Sequence, residues 1–343
     1  MSVARVDMSA ALTPTTTQVA IDDPSGIGAA RRRSAEHARA AGLDDESVGR
    51  AEIIATELAT NLQRHATEGR LLLRSWRSGS ATGTLELLAV DNGPGMADVQ
   101  RCVRDGYSTG GTAGNGLGAV QRLADEFDIS SQAGLGTVVL ARVRSTGSRV
   151  PTAALHLGVV CLAMAGEPVC GDTWAWREEP DGGSLLVFDG LGHGHPAAEA
   201  AAAALRAFRE TPAVAPTEVI EAIHGRVSGT RGGAAAVAQI DRARGLLRYA
   251  GVGNIGATLV GPERRRGLPS HNGIVGSIVG RVRGFEYEWT QGDVLVMHSD
   301  GLQSRWTMDG VAGMVHRDPA VVAALLYRDF ARGRDDLTVA VCG

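Results

Sequence analysis

The chain has 343 residues, 44% hydrophobic and 21% charged, which is enough for two cores of ordinary domain size and too apolar for general disorder. All 34 basic residues are arginine, and without a lysine ammonium neither a Walker A loop nor Schiff-base chemistry is available. The net charge of −4 divides as 15 Arg against 17 acids up to residue 148 and 19 against 21 beyond it, so neither half is a basic nucleic-acid module. No run of about 20 apolar residues is free of charge, which excludes a membrane helix, and residues 1–23 lack the apolar core of a secretory signal. The four cysteines, Cys102, Cys161, Cys170 and Cys342, form no C-x-x-C pair; a zinc ribbon is not expected, and a reducing, cytoplasmic setting is.

Along the chain, residues 1–20 read as a flexible extension. Helical patterning covers 26–41, and Asp44-Asp45-Glu46 opens a second helix running to His65, its acids suited to the positive end of the helix dipole. Strands are expected over 71–75 and 84–90, then the turn-rich Asp91-Asn92-Gly93-Pro94-Gly95 and a short helix to Arg104. A glycine-rich stretch, 106–118, leads into a helix over 119–126, and strands over 129–131 and 137–143 flank a Gly134-Leu135-Gly136 turn. Residues 144–152, RSTGSRVPT, have the composition of a linker. The domains are therefore placed at 21–145 and 153–343, joined by 146–152. Beyond the linker the pattern is strand-rich, at 155–164, 185–188, 234–240, 246–250, 257–260, 285–289, 294–298 and 337–341, with helices at 196–209, 216–227 and 319–332.

Two constellations carry chemistry. In the first half, Glu57 and Asn61 stand four apart on the second helix and so share a face. The amide oxygen of Asn61 can hold Mg²⁺, and Glu57 can orient or deprotonate a nucleophile; alone, the pair equally fits a helix surface. Asp91 at a strand end can accept from an exocyclic amine, with Gly93 and Gly95 letting the backbone approach a flat ring. Gly114-Asn115-Gly116-Leu117-Gly118 opens a helix, where free N–H groups form an anion site. In this order and at these separations the three resemble the GHKL (Bergerat) ATPases. TELATNLQRHA (56–66), DNGPGM (91–96), DGYSTGG (105–111), GNGLGAVQRLADEFDISS (114–131) and GLGT (134–137) look most like the RsbT type of serine switch kinase. The resemblance implies a two-layer α/β sandwich that binds ATP, with Asp91 on adenine, Asn61 on Mg²⁺, Glu57 as base and 106–118 as the ATP lid. It also implies an acceptor serine or threonine on a STAS-domain protein.

In the second half, acids gather at strand ends: Asp172 after Cys170-Gly171, Asp189-Gly190 after 185–188, Asp300-Gly301 after 294–298, and Asp335-Asp336 before 337–341. Aspartate is unfavourable in strands and clustered carboxylates repel, so a neutralising cation is expected; hard oxygen donors suit Mg²⁺ or Mn²⁺. CGDTW (170–174), FDGLGHG (188–194), GGAAAVAQID (232–241), GVGN (251–254), GDVLVMHSDGL (292–302) and RDDLTVAV (334–341) resemble the metal-dependent protein phosphatases of the PPM, or SpoIIE-like, class, most nearly the RsbX type. The resemblance implies a four-layer αββα sandwich in which Asp189 bridges two metals and the Gly190 carbonyl binds one. It further implies that Asp300 and Asp335 complete the other ion and that Asp172 acts through metal-bound water, with Asp336 the less suited of its pair. No arginine matches the phosphate clamp of the large eukaryotic members. His193 and His195 fit either a proton donor or a solvent-facing loop, Asn254 fits a structural turn, and Trp174 and Trp176 fit packing.

The expected protein is a two-domain α+β chain with a kinase-like and a phosphatase-like site, acting on STAS-domain partners in bacterial stress or sigma-factor signalling. The alternative is a nucleotide-gated phosphatase whose first domain binds ATP or a partner without phosphotransfer. Oligomeric state is left open.

Overall fold

The computed structural model describes residues 15–78, 82–103, 116–148, 155–262, 264–306 and 316–343, and the chain divides into two compact units, Met1–Thr152 and Ala153–Gly343. In the first unit, β1 (Thr17–Ala20), β2 (Arg70–Ser78), β3 (Thr82–Asp91), β4 (Glu126–Gln132) and β5 (Gly136–Arg144) form an antiparallel sheet in the order β1-β2-β3-β5-β4. Helices α1 (Pro24–Ala40) and α2 (Asp45–His65) cover one face, and α3 (Val99–Val103) and α4 (Gly116–Leu123) lie between β3 and β4. The Asp44 side chain caps α2 by accepting the Ser47 N–H at 3.0 Å. Val48, Ala51, Ile54, Ala55, Leu58, Ala59 and Leu62 then form a buried stripe at helical spacing. They meet Leu71, Leu73, Leu85, Leu87, Ala89, Val139, Ala141 and Val143, the alternate residues of three strands. Glu57 and Asn61 stand beside this stripe, half-buried.

Two expectations are corrected here. Residues 17–20 are not a flexible extension: β1 pairs with β2, Val19 opposite Leu71, and the Ile21 N–H continues the tie to the Gly69 carbonyl at 2.9 Å. Four residues are too few to show a period, and the partner strand lies some fifty residues on. The fourth helix ends at Leu123 rather than Glu126, because Glu126 begins β4 and its carboxylate pairs across the sheet with Arg142 at 2.7 Å and Arg144 at 2.6 Å.

The second unit is a sandwich of two antiparallel sheets. One contains β7 (Asp172–Glu179), β8 (Gly182–Gly190), β9 (Gly233–Asp241), β10 (Leu246–Val252) and β15 (Phe285–Glu288), in the order β15-β10-β9-β8-β7. The other contains β6 (Leu157–Leu162), β11 (Gly256–Val260), β12 (Arg265–Gly267), β16 (Val294–His298) and β17 (Leu337–Cys342), in the order β12-β11-β16-β17-β6. A small hairpin, β13 (Gly273–Ile274) with β14 (Ile278–Val279), joins neither. Helices α5 (His195–Glu210), through its alanines and Phe208, and α6 (Pro216–Val227), through Val219, Ile220, Ile223 and Val227, pack on the first sheet against Leu186, Phe188, Val237 and Val252. Helix α7 (Pro319–Phe330) packs on β6 and β17. The layers run αββα. The alternation of Trp174 and Trp176 with Thr173 and Ala175 is that of β7, which carries both indoles into the core. Among the described residues no helix is long and apolar enough to cross a membrane.

Candidate functional sites

In the first unit, α2 and α4 bring the predicted residues together. A Cβ on Gly116 would fall 3.3 Å from Asn61 Oδ1 and 3.4 Å from Glu57 Oε2, so the first turn of α4 lies against both side chains with no room to spare. Gly116, Leu117 and Gly118 form that turn; Gly114 and the rest of the expected lid, 106–115, lie outside the described residues. Asp91 closes β3, and its Oδ1 accepts the Gly93 N–H at 2.7 Å. Gly93 in turn abuts the end of α2, with His65 O 2.8 Å from where its Cβ would be. Gly95 has φ 65° and its Cβ would fall 2.0 Å from the Gln132 carbonyl oxygen, so only glycine fits there. Asp91 is paired with Thr137 on β5, and the Thr137 hydroxyl lies 2.9 Å from Ser131 Oγ. The result is a carboxylate at a strand end, an amide–carboxylate pair on a helix, and the N-terminus of a second helix.

In the second unit, the predicted acids stand at neighbouring strand ends. Asp172 and Asp189 are direct cross-strand neighbours on β7 and β8, a register that brings side chains within about 5 Å. The backbone N–H of Asp300, just past the end of β16 in one sheet, favours the ionised form of Asp189 at the end of β8 in the other. Burial, followed by the charges of Asp300 and Asp335, pushes Asp189 up to about 7. Burial and then the Asp189 charge push Asp172 well above the usual carboxylate range. Asp300 is likewise raised, by burial and then by Asp335. Asp335 is exposed, whereas Asp336 is 3% exposed and accepts two backbone N–H groups at 2.7 Å, from Met164 on Oδ1 and Gly171 on Oδ2. Of the consecutive pair, Asp335 is the exposed one, its Oδ1 accepting the Asp336 N–H at 2.9 Å. Gly190 ends β8, its N–H held by the Gly171 carbonyl at 3.1 Å.

Two partners escaped the sequence reading. Asn254, which by sequence fits a structural turn, donates Nδ2 to Asp300 Oδ2 at 2.8 Å. The Ser299 hydroxyl accepts the Thr338 N–H at 2.9 Å and favours the ionised form of Asp172, against the effect of burial. No local pattern betrays either contact, since each partner is distant in sequence. His193 is exposed and lies 2.7 Å from Glu167 Oε1 through Nδ1, at the rim beside Asp336; His195 is the exposed first residue of α5.

Mutually raised carboxylates and a hard-oxygen donor set fit a divalent cation. Asp172 supports the fit, since its buried Oδ2 has no hydrogen-bond partner. Among the described residues no three His, Cys, Asp or Glu side chains stand in a closed ligand array; the acids face one another without meeting at one point.

An ATP-binding-type sandwich followed by a PP2C-type double sandwich defines the class of this protein. The family model for the histidine kinase-like ATPase domain matches residues 21–143, and that for stage II sporulation protein E matches 180–342. The serine/threonine-protein kinase RsbT of Bacillus subtilis (strain 168) is 36% identical over 115 residues, 34% of this chain and 86% of the kinase. Through its first unit the chain belongs to the RsbT family, and its second unit is of the SpoIIE type. A solved structure from the bacterial stressosome, described as a modular system adapted to control secondary messenger signalling, matches with TM-score 0.52 and 27% identity, over 55% of this chain and 99% of its own. RsbX in complex with magnesium matches with TM-score 0.49 and 21% identity, over 55% of this chain and 94% of its own.

Proposed function

We propose that the protein is a partner-switching regulator: an ATP-dependent serine/threonine kinase of a STAS-domain protein in the first unit, and a metal-dependent phosphoserine/phosphothreonine phosphatase acting on the same or a related partner in the second. The observation that carries the reading is the mutual electrostatic effect of Asp172, Asp189, Asp300 and Asp335, which stand at neighbouring strand ends. Support for the kinase half comes from Glu57 and Asn61 standing against the first turn of α4 and from the similarity to a protein named as a serine/threonine kinase.

In the first unit Asp91 would accept from the adenine amine, Asn61 would hold Mg²⁺ through its amide oxygen, and the α4 N-terminus would receive phosphate oxygens. Glu57 takes the proton of the acceptor hydroxyl as its oxygen bonds to the γ-phosphorus and the bond to the ADP oxygen breaks. In the second unit Asp189, the Gly190 carbonyl, Asp300 and Asp335 would hold Mn²⁺ or Mg²⁺, with Asp172 facing them from β7. Bound divalent cations neutralise the phosphate and acidify water. Asn254 and Ser299 orient Asp300 and Asp172, and Asp336 fixes the backbone that presents Asp335. Phosphorylation brings nearly two negative charges to a partner surface, enough to break a desolvated interface.

The test is incubation of the full chain with ATP, Mn²⁺ and candidate STAS-domain proteins, followed by intact-mass measurement. A phosphate adduct on one partner is expected, lost with Glu57→Ala; an undiminished adduct in that variant refutes the assigned chemistry. Asp189→Ala should leave the adduct in place where the wild type removes it. ATP binding with no adduct on any partner would favour the nucleotide-gated reading, and partner binding that survives Asp91→Asn would favour an adaptor.

A further inference from the structure

The five acids of the second unit leave an electrostatic problem: a phosphate monoester must bring further negative charge to them, and no clamp of the kind found in the large eukaryotic phosphatases is present in the sequence. We propose that Arg231 binds the phosphate group of this unit's substrate; the inference rests on the phosphatase reading above.

Arg231 stands in the short turn between α6 and β9, and three contacts fix that turn. Thr230 Oγ1 donates to the Val227 carbonyl at 2.7 Å and accepts the Gly232 N–H at 3.0 Å. The Gly232 carbonyl accepts the Leu191 N–H at 3.0 Å, which ties the turn to the loop that follows Asp189 and Gly190. Gly233, next in the chain, is the cross-strand neighbour of Gly190. A Cβ on Gly192 would fall 3.0 Å from Arg231 Nη1, so the guanidinium lies over the loop only three residues beyond Asp189.

The side chain is exposed, and among the described residues it has no hydrogen bond and no ion pair. Several other arginines pair with carboxylates: Arg74 and Arg142 with Glu86, Arg264 with Asp293. An arginine held on a pinned turn over the loop that follows Asp189, with no carboxylate joined to it, is placed for an anion that is not part of the chain. The planar fork matches two phosphate oxygens at once, which a point charge does not. Arg332 flanks the other side of the cluster, where its charge favours ionised Asp300 and its N–H donates to the Gly301 carbonyl at 2.9 Å; it serves as the control.

The experiment uses the full chain with Mn²⁺, in two arms: steady-state hydrolysis of p-nitrophenyl phosphate, and calorimetric titration with inorganic phosphate. Arg231→Ala should raise KM by about 10–100-fold with kcat held within about threefold, and weaken phosphate by the same factor, the range expected for losing hydrogen bonds to a charged group. Arg231→Lys should fall between. Unchanged KM and phosphate affinity in Arg231→Ala overturn the proposal, as does a shift of the effect to Arg332→Ala. Absence of hydrolysis by the wild type would count against the phosphatase reading, and the calorimetric arm would still decide for or against Arg231.

Discussion

Asp189→Asn offers a test of the acid cluster that needs no substrate. Burial and the neighbouring charges raise the Asp189 carboxyl from 3.8 to about 7 in the metal-free protein. A group whose folded pKa is raised contributes stability in full below its unfolded pKa and loses it as pH climbs through the folded value. Metal-free stability should therefore fall between about pH 4 and pH 7. At 1.36 kcal/mol per pKa unit the loss is about 4 kcal/mol at most, and roughly 2–4 once residual solvent contact is discounted. For a unit of this size that is roughly 5–15 °C in Tm. Four of the five tryptophans, Trp174, Trp176, Trp289 and Trp306, lie in the second unit, so fluorescence-detected melting in excess chelator reports mainly on it. Asp189→Asn should flatten the slope and raise the neutral-pH Tm. Asp172 titrates with the same sign in both proteins, so the difference between the two curves is the measurement. Adding Mn²⁺ at pH 8 should raise the wild-type Tm more than that of the variant. Parallel pH profiles for the two proteins would refute a repelling carboxylate cluster around Asp189.

Asn254→Ala removes the amide that holds Asp300 at 2.8 Å; half-saturating Mn²⁺ for aryl phosphate hydrolysis should rise about 10–100-fold, the usual cost of losing a group that orients a metal ligand, and an unchanged metal titration would show the contact to be incidental. Gly95→Ala would set a Cβ 2.0 Å from the Gln132 carbonyl oxygen at φ 65°, so calorimetric ATP affinity should drop at least about tenfold as the Asp91 turn is displaced. In β7, Arg177 donates to the Phe208, Thr211 and Pro212 carbonyls at the end of α5 and covers the Phe208 ring. Arg177→Ala should cost about 1–3 kcal/mol in urea unfolding followed by tryptophan fluorescence, with Arg177→Lys in between.

Legibility followed sequence distance. Helix α2 was readable because its cap, its acidic first turn and its apolar stripe are all local, and the ends of β16 and α6 were readable for similar reasons. The acids were readable because aspartate at a strand end is costly wherever it occurs, so five of them signal a purpose before any contact is known. What stayed hidden depends on pairing. β1 is a strand only because β2 offers an edge, β12 to β14 are too short for a period, and Asn254 and Ser299 take meaning from Asp300 and Asp172 alone. Arg231 was one arginine among 34 until its turn was seen lying on the Asp189 loop.

The consecutive aspartates before β17 divide their labour. Asp336 reaches from its own sheet to Gly171 at the mouth of β7 in the other, while also holding Met164 at the exit of β6. It acts as a stitch through both layers of the sandwich, and its neighbour Asp335 rides on the knot. Any slippage between the layers must first tear that seam, and it would carry Asp335 away from Asp300 and Asp189 in the same movement.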